Sequence, residues 1–228
     1  LYEQTLADRL RILGPDHPNT LTSRNNLAGA HQAAGRLDQA IPLYEQTLAD
    51  RLRILGPDHP STLTSRNNLA YAHESAGRLD QAIPLYEQNL TDSLRILGPD
   101  HPNTKIFRNN LAYAHQAAGH LDQAIPLFEQ TLADRERVLG PDHPSTLTSR
   151  NNLAYAHESA GRLDQAIPLY EQNLTDSLRI LGPDHPNTKI FRNNLAYAHQ
   201  AAGRSEDATA LFDPPPDSGA ADADRPDE

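Results

Sequence analysis

Asparagine pairs are the residues of this 228-residue chain best suited to chemistry: Asn25 with Asn26, Asn67 with Asn68, Asn109 with Asn110, Asn151 with Asn152, and Asn193 with Asn194. Each amide carries both donor and acceptor, so a row of them can pair with a peptide backbone whatever side chains it bears. Histidines form a second set. His59, His101 and His143 each follow an aspartate, whereas His73, His115 and His157 do not. No pair has the H-x3-H or H-E-x2-H spacing that sets two ligands on one helical face, so no metal site and no cofactor is expected. Serine, histidine and aspartate are plentiful, yet each recurs as scaffold, whereas an active site needs one irregular constellation. The glycines stand alone and form no phosphate-binding loop. The chain reads as non-enzymatic. Arg66, Arg108, Arg150 and Arg192 could stack on tyrosine, pair with a carboxylate such as Asp80, or meet an anion. Their recurrence favours structural pairing.

What must position these residues is a repeat. The run Leu1-Tyr2-Glu3-Gln4 returns from Leu43, Leu85, Leu127 (with Phe128) and Leu169, and Leu211-Phe212 begins it again. A fixed 42-residue period marks a solenoid, in which each repeat buries its apolar face against its neighbours. In one repeat, Pro60 suits a first helical turn and Asp58 is placed to cap it. Helix A is then expected from about Pro60 to Ala76, Gly77 supplies a positive-φ stop, and helix B follows from about Leu79 to Leu97. Leu79, Ala82, Ile83, Tyr86, Leu90 and Leu97 share one face of helix B. Pro84 should remove one hydrogen bond and bend the helix, as should Pro42, Pro126 and Pro168. The period is also doubled: Leu-Thr-Ser precedes Arg66 and Arg150, and Lys-Ile-Phe precedes Arg108 and Arg192. Thr64, Glu74 and Ser75 thus alternate with Ile106, Gln116 and Ala117.

Composition narrows the function. With no cysteine, disulfides and thiol chemistry are excluded. The net charge is -10, and half of it falls in residues 213–228, where Asp213, Asp217, Asp222, Asp224, Asp227 and Glu228 face only Arg225. Such a chain repels phosphate backbones, so nucleic acid is not expected as a partner. No apolar run is long enough to span a bilayer and no leader is evident, which favours a cytoplasmic protein without membrane contact. Residues 213–228, rich in proline, aspartate and alanine, are expected to be a disordered acidic tail after a solenoid at residues 1–212. Leu1 falls inside a repeat, so a fragment is expected.

The pattern resembles the tetratricopeptide repeat (TPR), W-x2-L-G-x2-Y, then A-x3-F, then P. It reads here Arg66-x2-Leu69-Ala70-x2-His73, then Ala82-x3-Tyr86, with arginine for tryptophan and histidine for tyrosine. It is most similar to the kinesin light chain-like variety, which has this same period, through Asn67-Asn68-Leu69-Ala70, the Pro84 position and the connector from Leu97 to Pro102. The resemblance implies an all-α, right-handed α-solenoid of antiparallel helix pairs, from a bacterial repeat protein that binds proteins or peptides. It also implies that helix A lines a concave groove. With Leu69, Ala70 and His73 inward, Asn67, Asn68, Tyr71, Glu74 and Ser75 fall towards that groove. The same positions give Asn25, Asn26, Asn109, Asn110, Tyr113, Asn151, Asn152, Tyr155, Asn193, Asn194 and Tyr197. Gly29 replaces tyrosine in the first repeat and leaves that end wider. Two alternatives stand beside this reading: that one asparagine of each pair bonds within the solenoid while the tyrosines pack against adjacent helices, and that the chain is a spacer or rod associating head to tail through its repeat edges.

Overall fold

A computed structural model describes residues 1–212; the expected acidic tail lies outside the described residues. The described residues form α1 (Tyr2–Leu13), α2 (Pro18–Ala33), α3 (Leu37–Leu55), α4 (Pro60–Ser75), α5 (Leu79–Ile96), α6 (Pro102–Ala117), α7 (Leu121–Leu139), α8 (Pro144–Ser159), α9 (Leu163–Leu181), α10 (Pro186–Ala201) and α11 (Ser205–Ala210), and no strand. Even-numbered elements are helix A and odd-numbered ones helix B. The described residues divide into two compact bodies, Leu1–Asp134 and a second that begins at Arg135.

In the first body α3 and α5 each pack between the helix A before and the one after. Ala70 of α4, Ala82, Ile83, Tyr86 and Leu90 of α5, and Leu111 and Ala114 of α6 form one cluster. A matching cluster joins α2, α3 and α4 around Tyr44. Burying a side chain as completely as Tyr86 contributes about 1.5–3 kcal/mol, so the helix B face is what holds successive hairpins together. In the second body Ala154, Ala166, Ile167, Tyr170, Leu174, Leu195 and Ala198 repeat the arrangement across α8, α9 and α10. Gly77 takes a positive φ to end the helix A segment, as expected. Each of α3, α5, α7 and α9 continues through its internal proline.

Two side-chain assignments are corrected. The cap of α4 is His59, whose Nδ1 accepts from the Ser61 amide at 3.1 Å. A cap must directly precede the first helical residue, here Pro60, and Asp58 stands one place too early. Asp58 instead accepts from Arg95 of α5 at 2.6 and 3.0 Å, and that guanidinium holds its carboxyl below the usual range. Second, Arg66 does not meet Asp80. Its Nη1 donates to Asp92 at 2.7 Å, because in an antiparallel hairpin the first half of helix A lies beside the last half of helix B. Arg24 with Asp50 (2.6 Å) and Arg150 with Asp176 (2.9 Å) repeat the pair.

Candidate functional site

The asparagine pairs lie midway along helix A, and most are half-buried; Asn26 and Asn193 are exposed. They bond to one another between successive A helices. In the first body Asn68 Nδ2 donates to Asn25 Oδ1 at 3.1 Å, and Asn110 Nδ2 donates to Asn67 Oδ1 at 2.9 Å. In the second, Asn194 Nδ2 donates to Asn151 Oδ1 at 2.9 Å. The pairing within the solenoid is therefore real, and it involves both positions of the pair. Each bond uses one of the four hydrogen-bonding sites an amide offers, so the ladder is held in place with capacity to spare.

The tyrosines one turn further on are exposed, from 37% at Tyr113 to 65% at Tyr197, with Tyr71 and Tyr155 between them. Tyr113 also meets Phe128 edge-on, with ring centroids 5.3 Å apart. Ile106 and Ile190 are exposed where α4 has the exposed Thr64, so the doubled period does alternate polar and apolar surface on helix A. Where Gly29 stands in place of tyrosine, a recess of about 630 Å³ opens, lined by Asn25, Asn26, Gly29 and Tyr44 among others.

Beneath this surface, helix B holds helix A by a hydroxyl. Tyr86 donates to Glu74 Oε2 at 2.7 Å, and Tyr44 to Gln32 Oε1 at 3.1 Å. Glu74 is thus drawn toward its own helix B, and burial raises its pKa. Burial, reinforced by the Glu74 carboxylate, raises the Tyr86 phenol as well. Gln32 passes the link on, donating to Ser75 Oγ of α4 at 3.1 Å. Phe128 has no hydroxyl to give, and Gln116 Nε2 is buried with no partner among the described residues. Phe128→Tyr should therefore raise stability by about 1 kcal/mol, read as a higher urea midpoint at unchanged m.

His73 and His115 of helix A are buried, and burial lowers both pKa values below 6.5. Glu45 and Asp80 oppose the shift at His73, and Glu87 opposes it at His115. An unfolded chain then binds protons that the folded one resists. Their contribution is intact above about pH 6.5 and is lost as pH falls below it. Urea midpoints should drop between pH 7.5 and 5.5, and less so in His73→Gln/His115→Gln. Asp58 titrates in a separate window: its stabilisation is present above 3.8 and lost below. Connector histidines His17, His101, His143 and His185 cap helices as His59 does.

The tetratricopeptide repeat family model matches the chain at residues 1–52, 24–91, 75–137, 106–175 and 151–213, and the chain belongs to that family. It is similar to a crystal structure of nearly identical TPR-like repeats from Podosopora anserina, described as those of a kinesin light chain. Identity is 34% over 86% of this chain and 93% of that one, with a TM-score of 0.80. BtubC (BKLC) from P. vanneervenii shares the fold, with 21% identity over 99% of both chains and a TM-score of 0.74. A MamA structure shares it at 16% identity over 86% of this chain and 90% of that one, with a TM-score of 0.59. No curated protein matches the chain. The fold is accordingly an all-α TPR solenoid of consecutive helix pairs.

Proposed function

We propose that the chain is a non-catalytic scaffold that binds a protein through an extended peptide laid along the helix A surface. TPR repeats commonly serve as protein-interaction scaffolds and are generally non-catalytic, and the Podosopora anserina relative is described as a kinesin light chain. The observation that carries the reading is the pairing of fixed amides with exposed rings on one helix face, once per repeat from α4 onward. Tyrosine supplies large amphipathic contact area at low entropic cost, and the amides offer sequence-independent backbone pairing. An acidic chain of net charge -10 suits a basic or neutral partner rather than nucleic acid. Among the described residues no helix is long and apolar enough to cross a membrane, and we place the work in the cytoplasm.

The test is selection of a displayed random-peptide library on the immobilised chain, with a Tyr71→Ser/Tyr113→Ser/Tyr155→Ser/Tyr197→Ser variant as counter-target. Enrichment on the first and not on the second is expected. Equal enrichment on both would overturn the role of the tyrosines, and a chain that enriches nothing would instead be a spacer whose length and stacking matter and whose helix A chemistry does not.

A further inference from the structure

We infer that the joints between successive hairpins are of two non-interchangeable kinds, each a recognition surface that accepts only a helix edge of its own kind, in the same chain or in a second copy. A joint is where helix B of one repeat meets helix A of the next. At three joints among the described residues an arginine bridges the two. Arg9 Nη1 donates to Asn19 O and Ser23 Oγ, both at 2.8 Å. Arg51 Nη1 donates to Ser61 O at 2.9 Å and Ser65 Oγ at 2.8 Å, and Arg135 Nη1 to Ser145 O and Ser149 Oγ, both at 2.7 Å. Arg51 is 8% exposed, so its guanidinium depends on those neutral oxygens.

At the other two joints the sizes are reversed. Ser93 and Ser177 occupy the arginine position, and Phe107 and Phe191 the serine position; all four are buried. The residue one turn earlier on helix B changes in step. Thr47 and Thr131 bond back to Leu43 O and Leu127 O, whereas Asn89 and Asn173 stand there at the Phe-containing joints. A joint is thus large-with-small or small-with-large. Arginine against phenylalanine would overfill the space and remove a hydroxyl acceptor from a buried cation. Serine against serine would leave a cavity.

From Arg51 onward the kinds alternate: Arg51 with Ser65, Ser93 with Phe107, Arg135 with Ser149, Ser177 with Phe191. Within that stretch, slipping a pairing by one repeat brings unlike edges together and a slip of two restores like with like; the consecutive Arg9 and Arg51 joints are of one kind and do not oppose a slip between them. Misassembly and swapping between copies are characteristic failures of repeat proteins, and near-identical repeats offer little else to oppose them. The two joint chemistries supply that discrimination.

Two measurements on the full chain test this. In the first, Arg51→Ser and Ser65→Phe are made singly and together, and urea midpoints are compared. Each single change should lower the midpoint, and the double should recover more than half of the summed loss; additive losses would overturn the inference. In the second, both Phe-containing joints are converted to the arginine kind with Asn89→Thr, Ser93→Arg and Phe107→Ser plus Asn173→Thr, Ser177→Arg and Phe191→Ser. After unfolding and refolding at high concentration, the fraction of chains in species larger than those before unfolding should rise severalfold over the unaltered chain. An unchanged fraction would show that the joints do not discriminate between copies.

Discussion

Replacing Asp92 with alanine is expected to lower stability by about 3–5 kcal/mol, the range for removing one partner of a buried ion pair. Arg66 is 3% exposed and Asp92 17%, so the substitution strands a guanidinium in the protein interior rather than at its surface. Asp92 also lies 3.5 Å from Arg95, which runs on to Asp58, so the loss opens a chain of charges from helix A through helix B to the preceding connector. Domains of this size are stable by only about 5–15 kcal/mol, so this single change removes a large share. Asp58→Ala is the control. Its pair with Arg95 is more than half exposed on both sides, so water screens it and its loss should move the midpoint far less. Equilibrium urea unfolding of the two variants should separate them clearly; equal small losses would show that the Arg66 pair is effectively solvated.

Tyr71→Ala combined with Tyr113→Ala should weaken a selected peptide by three orders of magnitude or so, at about 2 kcal/mol for each aromatic anchor. The fold should barely respond. Tyr71 is 55% exposed. Tyr113 gives up its edge-on contact with Phe128, and such contacts contribute about 0.5–1.5 kcal/mol. Isothermal titration against both proteins reads the ratio directly. A peptide that binds the double variant within about threefold of the unaltered chain is not held by these rings.

The contrast between these two sets of residues also shows what the sequence could and could not reveal. Pro60, Gly77 and the connector glycines mark backbone that only certain conformations permit, so the observed Pro60–Ser75 and Leu79–Ile96 lie within a residue of the expected helices. Local chemistry sufficed there. The partner of Arg66 did not follow, because which carboxylate of helix B lies opposite depends on how far the hairpin closes, and Asp80 and Asp92 both fit the spacing. Asn89 and Ser93 were equally hard to place. Their polar side chains break the apolar period of helix B, yet both are fully buried. The one available signal was that they change together with Phe107, from Thr47, Arg51 and Ser65 a repeat earlier. At the candidate site the positions of the asparagines and tyrosines were legible from helical periodicity. The amide pairing between successive A helices was not, since it depends on the separation of neighbouring hairpins.

The most direct test of the helix A surface as the binding site is nuclear magnetic resonance of the side-chain amides. A peptide from the library selection is titrated into labelled chain while the signals of Asn25, Asn67, Asn68 and Asn110 are followed. Saturable shifts at these amides, with a common affinity and none at the backbone amides of the exposed Leu52, Ile54 and Leu94 of helix B, are the predicted result. Shifts confined to those helix B residues, with the asparagine signals unmoved at saturation, would contradict the account.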